Sequence, residues 1–438
     1  MDAQRARFVS GAVKDGVEKD QAEAIFELLA KFADYGFNKS HAAAYALVAY
    51  QTAYMKANYP VEFLAASMTY DMQNTDKLSE FRAEAQRLKI KVEPPSVNRS
   101  DVMFEVEGNT IFYALAALKG VGREAVKAIV EARGDRPFRD LTDFSARVNP
   151  RAINKRVLES LAAAGAFDAL DSNRARVHAG VDVILAAAQR RHEDAEIGQN
   201  DMFGGAATRQ PLPLHPAEPW LPAEKLQREF DAIGFFLSGH PLDDYAAVLK
   251  RLNVMSWATF SASVKQGASA GKVAATVVSR AERRTKTGNK MGILEFSDPS
   301  GHYEAIIFQE GLMQYRDLLE PGAAVLMTLT GEAQGDDVRA RIATVERLDA
   351  AAEKMQKGLR VFLRNDQPIE GVAKRLEPAQ AGPARSPGDR GDAEISMILI
   401  LDGGAAEVEV KLPGRYKVSP QIAGAIKAVP GVVEVQAL

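Results

Sequence analysis

Apolar residues recur at helical spacing through the first part of the chain. Ala12, Val13 and Val17, then Ala22, Ile25, Leu28, Leu29 and Phe32, make residues 2–34 read as mostly helix, with Gly11 and Gly16 as breaks. A polar turn from Tyr35 to His41 leads into a second helix, Ala42 to Tyr59, with Ser40 placed to cap it. Asn74-Thr75-Asp76-Lys77 opens a helix over Leu78 to Leu88, and Ile90–Val92 and Ile111–Ala114 read as short strands between turn residues. After the turn Gly120-Val121-Gly122, Val126, Ile129 and Val130 share one helical face, while Arg123, Glu124, Lys127 and Glu131 take the other. Further helical segments start at Phe138, run from Ile153 to Leu161 with Gly165 closing them, and fill 171–197 as one alanine-rich helix. Ala206 to Pro219 has few apolar anchors and reads as an exposed loop; the stretch from Leu226 to Leu242 reads as a helix and a docking loop. From Gly271 the period becomes two. Strands are expected over Val273–Val278, Gly292–Phe296, Tyr303–Phe308, Ala324–Thr330 and Val338–Val345, with a helix over Gly311–Leu319. Residues 377–392 are a Pro/Ala/Gly/Arg-rich linker inside a small α/β module built from 358–375 and 394–438.

These elements carry chemistry at four places. A glycine turn that opens a helix offers unpaired amides and a positive helix end to an anion, so Lys119, Gly120, Val121 and Gly122 resemble the phosphate grip of a helix-hairpin-helix module. A β-branched residue at Gly122 would close that grip if its backbone has φ > 0. Ile153–Leu161 resembles a second, degenerate half, whose Lys155 and Arg156 fit either a phosphate-facing end or a solvated face. Five strands with a helix between the third and fourth is the order of an OB-fold. Its first hairpin carries Arg280, Arg283, Arg284, Lys286 and Lys290, which suits single-stranded DNA, although a solvated charge run fits as well. Tyr303 and Phe308 are stacking candidates for which core packing is the simpler role, and His240 reads as structural. Lys39, Ser40 and His41 at a helix N-terminus, with Tyr45 one turn on, suit a triphosphate with a stacked base; a capped helix explains the same residues. Met202 and Phe203 stand between Gly198 and Gly204-Gly205 on the exposed loop, which is unexpected unless a partner, or their own domain, buries them.

The run from Phe32 to Thr52 and the following Tyr59-Pro60-Val61-Glu62-Phe63-Leu64-Ala65-Ala66 resemble the end of the fingers domain in bacterial DNA polymerase III alpha subunits. The similarity continues through the tandem hairpins and the Leu226–Leu242 stretch to the C-terminus. It implies a role for Lys39, Ser40, His41 and Tyr45 toward a deoxynucleoside triphosphate, and a sliding-clamp peptide at Gln199, Asp201, Met202 and Phe203. It also implies a tau-binding C-terminal region and Mg2+ in the full-length polymerase. No cofactor is expected in this chain, which contains no Asp-x-Asp pair to hold two metal ions. The chain thus reads as a C-terminal fragment, or one product of a split gene, unable to extend a primer alone. The expected fold is multidomain α+β: a helical fingers remnant at 1–93, tandem helix-hairpin-helix at 94–197 and a clamp-binding loop with docking helices at 198–270. An OB-fold barrel at 271–350 and a C-terminal α/β module at 351–438 complete it.

A chain of 438 residues exceeds one compact core. Its net charge of −3 confines any DNA binding to local basic patches. The absence of cysteine excludes disulfides and thiolate metal sites, and six scattered histidines show no ligand spacing. No apolar run reaches the ~18 residues of a membrane span, and no signal-peptide layout opens the chain, so a cytoplasmic location without a membrane partner is expected. Two other readings fit the same modules: a stand-alone adaptor that binds DNA and the clamp, and a DNA-repair or single-strand-binding protein.

Overall fold

A computed structural model describes residues 2–33, 39–196, 211–284, 288–335, 337–353, 358–376, 393–401 and 406–438. The chain divides into two compact units, Met1–Leu64 and Ala65–Leu438.

In the first unit, α1 (Asp2–Lys14) packs on α2 (Lys19–Ala33), with the Phe8 and Phe26 rings 5.6 Å apart and Arg5 paired to Glu27. Gly16, at φ 88°, makes the turn between them, whereas Gly11 stays inside α1. A single helical glycine costs about 1 kcal/mol, which packing against α2 can offset. α3 (Lys39–Asn58) opens one residue before Ser40, so Ser40 lies inside the helix and cannot be the N-cap expected of it. α4 (Pro60–Tyr70) runs on into the second unit.

The second unit begins with α5 (Thr75–Arg87), whose N-cap Asn74 accepts from the Lys77 amide at 3.1 Å. A three-stranded sheet follows, β1 (Lys91–Glu93), β2 (Glu105–Glu107) and β3 (Thr110–Phe112), in the order β1-β3-β2. Strand β2, a bare Glu-Val-Glu, was invisible to the hydrophobic pattern. Then come α6 (Arg123–Arg133), α7 (Leu141–Arg147), α8 (Lys155–Ala164), α9 (Arg174–Ala179) and α10 (Val181–Glu196). In their core Phe138 meets Phe144, and Phe144 meets Phe167, edge to face at about 5 Å. The single helix expected over 171–197 is two, split at Gly180. A Cβ there would stand 2.5 Å from a methyl of Leu214, so the close approach of the 211–221 segment requires glycine.

That segment leads into α11 (Pro222–Ile233), α12 (Ala246–Arg251) and α13 (Trp257–Lys265). β4 (Ala270–Arg284), β5 (Lys290–Asp298), β6 (Gly301–Phe308), α14 (Gln309–Tyr315), β7 (Ala324–Gln334) and β8 (Asp337–Arg347) then build a closed barrel of order β4-β5-β6-β8-β7. The parallel β6–β8 pair and the helix after the third strand make this an OB-fold. All five strands are longer than the apolar alternation indicated, because their ends extend past the core. α13 closes one end of the barrel, and Phe260 and Val264 join a core that includes Val273, Leu294, Phe296 and Met327. After α15 (Leu348–Glu353), the C-terminal module pairs β11-β10-β9-β12 into one sheet. Its strands are β9 (Gly358–Leu363), β10 (Glu394–Leu401), β11 (Ala406–Lys411) and β12 (Val432–Ala437). Val372 and Leu376 of α16 (Ile369–Leu376) and Ile426 of α17 (Pro420–Lys427) pack on its inner face. No helix among the described residues is long and apolar enough to cross a membrane.

Candidate nucleic-acid interface

The turn before α6 is held from two sides. The Lys119 amide donates to the carbonyl of Ala232 at 2.8 Å, and the Lys119 carbonyl accepts from the Ser160 hydroxyl at 2.8 Å, so α11 and α8 both grip it. Val121 is buried and anchors the turn between the two glycines. Gly120 has φ 79°, a left-handed conformation that favours glycine. Gly122 has φ −79° and ψ 151°, ordinary extended backbone, and serves as the N-cap of α6 without a side-chain cap. The strained position is therefore Gly120, and a β-branched residue at Gly122 meets no φ penalty. The first amides of α6 have no intrahelical acceptor, by helix geometry. Beside them stands exposed Arg156 of α8, whose Nε is 3.0 Å from where a Cβ on Gly120 would be. The second hairpin thus brings a guanidinium onto the turn of the first. Lys155 is paired instead with Asp182 at 2.7 Å, and Lys127 with Glu124 at 2.8 Å. The Lys119 ammonium lies 5.8 Å from the Phe230 ring centroid.

Beneath the turn lies an ionic node that no sequence motif announced. Arg174, 6% exposed, donates to both oxygens of Asp168 and to Glu229, which is 1% exposed. Glu229 also accepts from the amides of Leu237 and Ser238 at 3.1 and 2.7 Å. The node fastens α9 to α11. The sequence carries no signal for it: Arg174 stands between Asn173 and Ala175-Arg176, and Glu229 between Arg228 and Phe230-Asp231.

At the barrel, the Arg280 guanidinium is held within the fold. It donates to the carbonyls of Arg316 at 2.7 Å and Leu319 at 3.2 Å and pairs with Glu320 at 2.9 Å, with the side chain 14% exposed. It ties β4 to the α14–β7 connection. Arg283 and Arg284 are exposed at the end of β4; Lys286 lies outside the described residues. Tyr303 is buried, stacked on Trp257 with centroids 4.2 Å apart and planes 6° from parallel. Phe308 is 50% exposed with Arg341 5.8 Å over its ring, so of the two aromatics it is the one on the surface.

In the first unit, His41 and Tyr45 stack with centroids 6.5 Å apart on the exposed start of α3, and Lys39 and Ser40 belong to the same helical turn. Gln199, Asp201, Met202 and Phe203 lie outside the described residues. The 211–221 segment that follows them is anchored on the hairpin helices. Leu212 donates to Thr142 Oγ1 at 3.2 Å, Asn173 donates to the Ala217 carbonyl at 2.8 Å, and Trp220 meets His178 edge-on with Arg228 4.4 Å from its ring centroid. His240 is a structural residue: Nδ1 accepts from the Leu242 amide at 3.1 Å and Nε2 lies 3.2 Å from Ser297 Oγ. Burial, with His302 nearby, pushes its pKa down to about 3, so the ring is neutral.

Residues 89–177 match the family described as the helix-hairpin-helix motif. The DNA polymerase III alpha subunit of Caulobacter vibrioides is 44% identical over 434 residues, 99% of this chain. The chain is a homologue of the DNA polymerase III alpha subunits. The Vibrio cholerae and Escherichia coli K12 alpha subunits are 37% and 36% identical over 91% and 96% of the chain. The match covers 37%, 35% and 36% of these three proteins, so the chain spans about a third of their length, a C-terminal portion. Among solved structures, the mitochondrial single-stranded DNA binding protein Rim1 of S. cerevisiae aligns over 18% of this chain and 93% of its own, at 15% identity and a TM-score of 0.17. The OB assignment rests on the strand order and not on that likeness. Within the alpha-subunit portion, the matched hairpin region contains the Gly120 turn, Arg156 and Arg174, and ends before α10.

Proposed function

We propose that this chain is the DNA-handling and partner-docking part of a replicative DNA polymerase. In this reading the hairpin region holds duplex DNA without reading bases. The amides after Gly120, with Lys119, Arg123 and Arg156 around them, face the phosphates. The barrel holds single-stranded template near Arg283, Arg284 and Phe308. The segment from Gln199 to Phe203 engages the sliding clamp, with Met202 and Phe203 as its anchors, and the C-terminal module meets the tau subunit of the clamp loader. Lys39, Ser40, His41 and Tyr45 contribute to the deoxynucleoside triphosphate site of the complete polymerase, whose Mg2+ ions and palm aspartates come from outside this chain; alone it does not extend a primer. The observation that carries the reading is the pairing of a left-handed Gly120 with the Arg156 guanidinium at the start of α6.

The test is duplex binding by fluorescence anisotropy at increasing salt. The logarithm of the affinity should fall linearly with the logarithm of salt concentration, with little difference between duplex sequences. An affinity that is insensitive to salt, or no duplex binding at all, contradicts the proposal.

A further inference from the structure

On the outer face of the barrel, three strands set their side chains in one row. Arg283 of β4 stands directly opposite Met291 of β5, and Met291 directly opposite Phe308 of β6. Two positions along the strands, Ile293 faces Ile306, and Ile306 is level with Arg341 of β8. Side chains alternate along a strand, so Met291, Ile293, Ile306 and Phe308 share this face. They make an apolar floor with Arg283 on one bank and Arg341 on the other. Three strand spacings of about 4.8 Å separate the two banks, roughly 14 Å in all. The next row of the same face is the Glu295–Glu304 pair, so a polyanion would keep to the Phe308 end, where Arg283, Arg284 and Lys290 are exposed.

The Arg341 guanidinium lies 5.8 Å from the Phe308 ring centroid and 3.5 Å from the Glu332 carboxylate of β7. Glu332 also stands directly opposite Arg339, so one carboxylate serves two arginines. Both members of the Arg341–Glu332 pair are exposed, with side chains 45% and 72% accessible. Water competes with each partner of such a pair, so it holds weakly and a phosphate can displace the carboxylate. Arg280 differs, because its acceptors include two carbonyls and its side chain is 14% exposed.

We propose that Arg341 is a phosphate-binding residue of the single-strand site and that Glu332 restrains it. The strand crosses the barrel from Arg283 to Arg341, with a base on Phe308 and Met291. A base stacked on Phe308 brings its phosphate to Arg341, which already stands beside that ring. This rests on the reading of the barrel as a single-strand site. It adds the second bank of that site and the acid that competes with the ligand.

The experiment measures binding of oligo-dT of about 15 nucleotides to the full chain by fluorescence anisotropy over a range of salt. Each phosphate contact on a single strand contributes about 0.7 to the salt slope, and Arg341→Ala should make the slope shallower by that amount. Glu332→Gln should tighten binding about two- to fivefold, the share an exposed ion pair withholds. Arg251→Ala removes the same charge beside the C-terminal module and should leave the slope unchanged. All three side chains are exposed, so the melting temperatures should match the parent's. An unchanged slope in folded Arg341→Ala, or an equal loss in Arg251→Ala, overturns the inference and leaves single-strand binding at Arg283, Arg284 and Phe308 intact. Unchanged or weaker binding by Glu332→Gln overturns it as well. Failure of the parent to bind oligo-dT overturns the single-strand reading itself, and the inference with it.

Discussion

Arg156 and Arg280 both sit beside a turn in a basic stretch, and the fold uses them in different ways. Arg156 is exposed on α8, and the surface opposite its Nε is the bare backbone of Gly120. Arg280 faces two carbonyls and a carboxylate at the α14–β7 connection, and its donors are committed there. A guanidinium has five donors, and buried acceptors take them before any ligand does. Net charge along a sequence therefore says little about phosphate binding. What matters is whether the local fold leaves acceptors unsatisfied near the arginine. At the hairpins the reverse holds: the α6 N-terminus leaves donors over, and a guanidinium is added to them.

The largest expected effect lies in the node that holds the hairpins on α11. Arg174→Ala leaves Glu229 buried without its ionic partner, and breaking such a pair costs about 3–5 kcal/mol. Chemical denaturation should show that loss, and duplex binding should fall with it, because α11 also supplies the carbonyl that fixes the Lys119 amide. A change within about 0.5 kcal/mol, the range of ordinary surface substitutions, would remove the node from the account. The next effect separates the two glycines. Gly120→Val forces a β-branched residue to φ 79° against Arg156, at a cost of about 1–2 kcal/mol, and should lower duplex affinity tenfold or more. Gly122→Ala meets open space at φ −79° and should leave affinity within twofold. Equal losses at the two positions would show that the turn tolerates no side chain for reasons unrelated to its left-handed residue. The smallest effect is at the barrel surface. Phe308→Ala should weaken single-strand binding by about 1 kcal/mol, the low end for one stacked base, with an unchanged melting temperature. A lower melting temperature with unchanged affinity would place Phe308 in the core.

Much of this architecture was legible because each element carries its own local signal. The barrel strands alternate, Asn74 caps α5, and Gly165 ends α8 at φ 86°. The parts that were not legible depend on residues far apart in sequence. A side chain at position 180 would collide with Leu214, and nothing in the alanine-rich run around Gly180 encodes that contact. Ser40 resembled a cap, but the helix begins at Lys39, and one residue of register decides a cap. The glycine turn was visible as a motif, yet which glycine is left-handed depends on how α8 and α11 hold the chain on either side. The contacts of Arg280 within the fold were hidden for the same reason: its acceptors lie 36 to 40 residues further along the chain.

In the proposed function Arg156 belongs to the phosphate site and Arg280 to the fold. The most direct measurement is the salt dependence of duplex binding for Arg156→Ala and Arg280→Ala beside the parent, with a thermal melt of each. Arg156→Ala should weaken binding uniformly across duplex sequences and make the salt slope shallower by about 1, with an unchanged melting temperature. Arg280→Ala should lower the melting temperature and leave the slope unchanged. A slope reduced by Arg280→Ala and untouched by Arg156→Ala would contradict the proposal.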